Sequence, residues 1–409
     1  MTQAVELPLP SRSARASETR LVGVVCFAHF VSHIYIMLLA PVFIFVREDF
    51  GLSYTELGLA LTAFSITSTL FQTPMGFLVD RVNPRLVLIA GLLLEACAIA
   101  VAGIVDSFWV FVAMFAVAGL GNTSYHPADY SLLSQHVAPE RMGRVFSFHT
   151  FAGMVGNAAG PACLVLVQAV AGWRVGFLVA ASLGLIAALI VALMGEPEPA
   201  TIPAKPRKSD TADAPLEGWK LLLSGPILLN LLFFVLLSFC GGGLNNYLVV
   251  TLGALHGTPF TVANTALTTQ LSFSAFGVLA GGMLTGLVSR PAAIAAGGLV
   301  VTATVCVLVA LFDFSAYILV PLMAAAGFFA GITMPSRDLI VRAATPPGAY
   351  GRVFGFVSTG FNIAGIVSPT IFGQLLDHGH PRAIFLFMAV CALLSIATVF
   401  VNTSRKRAA

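Results

Sequence analysis

Long apolar stretches recur along this chain, each about the roughly 20 residues that a helix needs to cross a bilayer. Twelve can be marked, at 21–46, 53–79, 86–105, 109–134, 144–168, 173–194, 226–251, 259–288, 291–312, 316–342, 352–376 and 382–402. Most of the segments between them are short and rich in turn-forming or charged residues, as connections at a water interface should be. The pattern predicts an all-α membrane protein with twelve transmembrane helices. The first 20 residues are polar and lack a short apolar core with a small-residue cleavage site, so no removable signal is expected. The first span should insert the chain by itself.

Composition sharpens this reading. Hydrophobic residues make up 58% of the chain and charged ones 10%, with a mean hydropathy of +0.93. A soluble domain carries about 25% charged residues to keep its surface wetted, so soluble classes are excluded. The six cysteines, Cys26, Cys97, Cys163, Cys240, Cys306 and Cys391, fall one to a span and lack the spacing of a metal or disulfide framework. They read as small hydrophobes.

Charge sets the expected topology. The net charge is only +3, but 18 of the 21 basic residues fall in the tails and in alternate connections, leaving Arg47, Arg174 and Arg382 on the other side. The positive-inside rule then places both termini and the central loop in the cytoplasm, most simply in a bacterial inner membrane. Nucleic acid is not needed to explain the basic balance.

An internal repeat organises the whole chain. Gly143-Arg144-Val145-Phe146 returns as Gly351-Arg352-Val353-Phe354, 208 residues on. The same offset carries Gly119 onto Gly327, Pro127 onto Pro335, Pro161 onto Pro369, Arg174 onto Arg382 and Phe177 onto Phe385, without a gap. The expected units are an N-tail (1–20), a first six-helix bundle (21–195), a Pro-, Ala- and charge-rich linker (196–224), a second bundle (225–402) and a C-tail (403–409). Two pseudo-symmetric bundles with a site between them are the architecture of a rocking transporter.

The segment Gly76-Phe77-Leu78-Val79-Asp80-Arg81-Val82-Asn83-Pro84-Arg85 resembles the G-x-x-x-D-R-x-G-R loop of the major facilitator superfamily, with Asn83 where Gly is usual and Pro84 inserted. The resemblance implies that Asp80 meets the start of the eleventh span near Gly351 and Arg352. The second-half counterpart, Gly282 to Arg290, has lost the acid. Phe27-Ala28-His29, Leu52 to Gly58, Gln72-Thr73-Pro74, His126-Pro127 and Gly156-Asn157-Ala158-Ala159-Gly160-Pro161 resemble the fosmidomycin-resistance branch of exporters. Gly156, Gly160 and Pro161 are also similar to the fifth-helix signature of drug/proton antiporters. The fourth-helix arginine of many such antiporters has no counterpart in Phe115 to Gly119.

Ionisable groups within a bilayer cost roughly 2.5–3.5 kcal/mol each on insertion scales, so each needs a cavity or a partner. Asp129 and Arg337 are repeat mates on spans 4 and 10, and the resemblance implies that they face each other and pair when the transporter opens outward. The alternative is that each snorkels to the interface. Asp338, next to Arg337, is not expected to share its face. His29 and His33 lie one turn apart on span 1, and His126 and His149 join them in the same half. Imidazoles titrate near neutral pH, which suits proton coupling; hydrogen-bonded lining is the plainer reading. No cofactor is implied, and a metal is not expected because no further ligand accompanies His29 and His33 on their helix. Asn122 and Tyr125 on span 4, Asn245 and Asn246 on span 7, Gln270 and Asn362 are expected to line the cavity or to glue helices. The glycines at 241–243 should bend or unwind span 7. Glu95, mid-span on the third helix, should be protonated or paired.

These readings converge on a secondary transporter of a small organic solute, working as a monomer by alternating access, with proton-coupled efflux as the expected mode. Proton-coupled uptake of an organic anion is the alternative. A membrane-embedded enzyme lacks a clustered catalytic set, and no phosphate-binding loop points to nucleotide drive.

Overall fold

A computed structural model describes residues 12–137, 139–195, 218–287, 290–345 and 350–408. All regular structure among them is helical. The first half comprises α1 (Arg12–Ile36), a 3-10 turn (Ala40–Val42), α2 (Phe43–Phe50), α3 (Tyr54–Arg81), α4 (Pro84–Ile104), α5 (Phe108–Asn122), α6 (Tyr125–His136) and α7 (Pro139–Leu193). The second comprises α8 (Gly218–Leu222), α9 (Gly225–Gly242), a π-helical turn (Gly243–Tyr247), α10 (Leu248–His256), α11 (Phe260–Leu287), α12 (Pro291–Leu311), α13 (Ala316–Ala344), α14 (Tyr350–Asp377) and α15 (Pro381–Ala408).

Ten stretches among the described residues are long and apolar enough to cross a membrane. One of them, Arg144–Leu193, has 50 residues and turns back at Gly172, whose φ of 84° lies in the left-handed region that glycine tolerates. That stretch holds length for two crossings. α3 has 28 residues but is diluted by Ser, Thr and Gln, so it falls outside the ten. The count is consistent with twelve crossings.

Helix contacts fall into two matching sets. α1 packs on α7 as α9 packs on α14; α4 packs on α7 as α12 packs on α15; and α3 packs on α5 as α11 packs on α13. The halves join where α3 meets α14 and α7 meets α11. The repeat explains some of its own glycines. A Cβ on Gly119 would come within 2.4 Å of the Phe64 carbonyl oxygen on α3, and one on Gly327 within 1.9 Å of the Gln270 carbonyl oxygen on α11. Both repeat mates let the backbones of equivalent helix pairs touch.

The helices run between two ends. Arg141 pairs with Glu18 at 2.9 Å, so α1 and α7 start at one end, here the terminal end. At the opposite end, Arg174 beside the Gly172 turn binds Asp49 and Asp106, each at 3.0 Å. The three expected glycines of span 7 do not unwind it. The chain stays helical and widens to a π turn at Gly243–Tyr247, which keeps the backbone hydrogen-bonded as lipid demands.

Candidate functional site

Between the bundles lies a cavity of about 350 Å³. Tyr35, Ser65 and Asn157 line it from the first half; Ser238, Asn245, Asn246, Gln270, Ser274 and Ser368 line it from the second. Among the described residues, Arg337 is the only charged one in the lining. Its guanidinium sits 4.8 Å from the Phe234 ring centroid and 5.2 Å from that of Phe361, two aromatic faces that hold a cation without neutralising it. Its Nε donates to Asp338 Oδ1 at 2.9 Å. The Gln270 Oε1 is buried with no partner. A groove of about 670 Å³ between α1 and α7 is larger, but Val22, Phe27, Phe30 and Phe148 wall it and it holds none of the expected site residues.

On the first-half side, four imidazoles and one carboxylate gather where α1, α6 and α7 meet. His149 Nε2 donates to Asp129 Oδ2 at 2.9 Å, and His29 Nδ1 lies 3.6 Å from the same oxygen. The His29 and His149 rings stack at 3.8 Å with 18° between planes, and His33 and His126 meet His29 edge-on at 4.5 and 5.1 Å. Asp129, His29 and His149 are buried, whereas His126 is exposed. Asp129 Oδ1 and His29 Nδ1 have no hydrogen-bond partner. His33 Nδ1 donates to the Asn157 side-chain oxygen at 3.0 Å, and Asn157 lines the cavity, so the cluster reaches the cavity wall through that bond. Gly153 makes the arrangement possible: a Cβ there would stand 2.8 Å from the Nε2 atoms of both His29 and His33.

Ligand atoms of His29, Asp129 and His149 lie within 4.8 Å of one another, close enough to suggest a metal. Ring geometry argues otherwise. A metal bonds an imidazole nitrogen in the ring plane at about 2.0–2.1 Å. Two nearly parallel rings stacked face to face offer no point in both planes at that distance. A shared proton has no such requirement, so the cluster suits proton binding.

The opposite end of the cavity is sealed. Ser53 and Glu56 form a reciprocal capping box that starts α3, with Glu56 N–H donating to Ser53 Oγ and Ser53 N–H donating to Glu56 Oε2. The next amides reach across to the other bundle, where Asp377 accepts from the backbone N–H groups of Tyr54 (2.6 Å) and Thr55 (2.8 Å). Tyr247 donates to the Pro369 carbonyl at 3.2 Å, and Phe43 meets Tyr247 at 5.4 Å. Gly58 permits this closure, since a Cβ there would lie 3.0 Å from the Tyr247 hydroxyl.

Several expectations need correction. Asp129 and Arg337 do not pair in this conformation, where Asp129 is held by His149 inside the first bundle and Arg337 bonds the neighbouring Asp338, a partner not expected on its face; the pair expected on outward opening belongs to the other state. The long guanidinium stem lets adjacent residues meet despite pointing from different faces. Asn122 and Tyr125 turn away from the cavity towards Glu95. Asn362 is also absent from the lining, where Phe361 and Gly365 stand instead. Asn245, Asn246 and Gln270 do line it.

The loop motif divides. The side chains of Asp80, Gly351 and Arg352 lie outside the described residues, and so does the contact expected of them. Arg81 is exposed, and Gly76 has open space where a Cβ would point. Arg85 donates to the Val191 carbonyl at 3.0 Å and to that of Ala192, capping the last turn of α7. Gly156 is steric: its Cβ would lie 2.3 Å from the Phe30 carbonyl oxygen, whereas Gly160 has ordinary contacts with Ile34 and Pro161 lies within α7. Sequence reasoning missed Asp377, Asn157 and Gly153 as site-forming residues. His149 four positions away was a local signal for Gly153; nothing local signals Asp377.

A two-bundle helical protein with a polar cavity between its halves belongs to the class of membrane transporters. The sequence matches the Major Facilitator Superfamily profile over residues 25–254 and 231–409, and the chain belongs to that family. It is a transporter of small organic solutes and not an enzyme. Among its relatives are a protein named "Probable sulfoacetate transporter SauU" from Cupriavidus necator, 26% identical over 93% of each chain, and the fosmidomycin resistance protein of Escherichia coli (strain K12), 22% identical over 98% of this chain and 99% of the other. In fold it resembles a bacterial homolog of the human lysosomal transporter Spinster, solved in an inward-facing and occupied conformation, with a TM-score of 0.76, 16% identity and coverage of 97% of this chain and 98% of that one.

Proposed function

We propose that this protein carries a small organic anion across a bacterial inner membrane together with protons, by alternating access in a single chain with both termini cytoplasmic. The observation that carries the reading is Arg337, the one charged residue among those described on the cavity wall, its Nε paired with Asp338 and its remaining N–H groups set among neutral hydrogen-bonding residues. A guanidinium on two aromatic faces is preorganised to grip a carboxylate, sulfonate or phosphonate through paired N–H donors. Asn245, Asn246, Gln270 and Ser274 would hold the hydroxyl or carbonyl groups of such a solute. The fit of a relative named for sulfoacetate agrees with this class.

Proton coupling is supported by the Asp129–His149–His29 cluster, which takes up a proton with little rearrangement and touches the cavity through His33 and Asn157. A solute moving with as many protons as it carries negative charges crosses without net charge, which removes the cost of moving charge through the field. With the termini in the cytoplasm, sealing by Asp377 closes the outer side, so the cavity here opens inward.

The test is reconstitution in proteoliposomes with sugar acids, short sulfonates and phosphonates under an imposed pH gradient. Arg337-dependent accumulation of one anion class, collapsed by a protonophore, is the expected result. Uptake that ignores the pH gradient, or a preference for cations, would overturn the reading. Outward transport is a second reading, favoured by likeness to the fosmidomycin resistance protein over nearly all of both chains. The direction of gradient that drives accumulation decides between them.

A further inference from the structure

Among the described residues, Glu95 is the one fully buried acid of the first bundle that the proposed mechanism leaves unused. It sits mid-way along α4 with 0% exposure, and neither carboxylate oxygen has a hydrogen-bond partner. The Tyr125 hydroxyl on α6 and the Asn122 amide at the end of α5 lie towards it without reaching bonding geometry, and the Tyr125 hydroxyl is itself unpartnered. Three unsatisfied polar atoms therefore converge on one closed spot.

The side chain is held there. A Cβ on Gly121 would lie 3.0 Å from Glu95 Cβ, and one on Gly91 would lie 1.7 Å from Ser124 Oγ, so α4 and the α5–α6 junction are pressed together. The titratable groups facing Glu95 are Tyr35 from α1 and Tyr125 from α6, with Asp129 one turn further along α6. From α7, Ala180 accepts the Tyr35 hydroxyl at 3.1 Å and Gly184 gives it room. None of these is a cation. An ionised carboxylate buried without a counter-charge is costly, whereas a carboxylic acid can donate to a phenol or an amide. A proton is the species that satisfies the spot. Tyr125 is near Glu95, Asp129 and Tyr35, and Tyr35 lines the cavity, so phenols stand on the side of Glu95 that leads to the cavity.

We propose that Glu95 is a second proton-binding site, in series with the Asp129–His149 pair through Tyr125, so that the first bundle carries two protons for each cycle. The carboxylate takes a proton from cavity water by way of Tyr35 and Tyr125 and returns it by the same groups after the cavity changes sides. No bond other than O–H forms or breaks. This inference rests on the proton-coupled reading above.

The experiment compares wild-type protein with Glu95→Gln and Glu95→Asp in proteoliposomes, using the anion that wild type accumulates and, if none is accumulated, infrared difference spectra on a pH jump. Glu95→Gln should keep substrate counterflow, lose accumulation driven by the pH gradient, and lack a protonated-carboxyl C=O band that wild type and Glu95→Asp show. Gradient-driven accumulation equal to wild type, or an unchanged carboxyl band, overturns the proposal. Loss of counterflow in both variants also overturns it, since that is the mark of a packing role. Wild-type protein that fails to respond to a pH gradient, while showing a Glu95-dependent band, sinks the coupling reading alone.

Discussion

The two bundles share one helix plan and put opposite chemistry into it. The first places a buried acid and four imidazoles, of which His126 is exposed, where α1, α6 and α7 meet. The second places a single guanidinium and several amides on an open cavity wall. Asp129 and Arg337 occupy equivalent positions of the repeat, yet one is shut inside its bundle and the other faces the cavity. The repeat sets the backbone; the side chain at each position sets its chemistry.

Changes at Arg337 should have the largest effect on this division. Arg337→Ala should weaken anion binding by about 2 kcal/mol or more, roughly 30-fold, in a binding titration, as truncating one partner of a buried charge pair does. Arg337→Lys should recover little of it, since an ammonium lacks the paired donors. Asp129→Asn should do the converse, leaving counterflow intact while abolishing accumulation driven by a pH gradient. If Asp129→Asn impaired solute binding as severely as Arg337→Ala, the two-part division would be wrong. Gly153→Ala should lower thermal stability by about 1–3 kcal/mol, because its methyl must displace two imidazoles. His149→Gln should weaken accumulation driven by a pH gradient while counterflow and folding are preserved; accumulation equal to wild type would remove His149 from the coupling cluster. Asp377→Asn should have the smallest effect, about 0.5–2 kcal/mol against the sealed state, read as faster cysteine labelling from the far side.

Much of the fold was legible because lipid makes strict demands. Apolar length marks the spans, and the repeat from Gly119 to Phe177 fixes the relation between halves. The imidazole cluster was half visible: His29 and His33 share a helix face, but only packing brings His149 and Asp129 to them from other helices. The Arg337–Asp129 pair is not made in this conformation, and equivalence by symmetry says where a Cα stands and nothing about which way its side chain turns. Asp377 was invisible because its partners are backbone amides more than 300 residues away, and an amide leaves no mark on a sequence. Glu95 announced itself as an oddity in an apolar run, but its neighbours came only with the fold.

The π turn at Gly243–Tyr247 has a consequence for how this helix tolerates mutation. Such a turn holds more residues than the α turn it replaces, so it acts as an inserted residue absorbed into the spiral. Removing one residue there, rather than exchanging it, would let the segment relax to an ordinary α-helix while the residues after it keep their facing, so that the change is confined to the turn itself. Asn245 and Asn246 would then swing off the cavity wall while the helix itself remained sound. A single-codon deletion at this point should therefore give a stable carrier with altered solute preference.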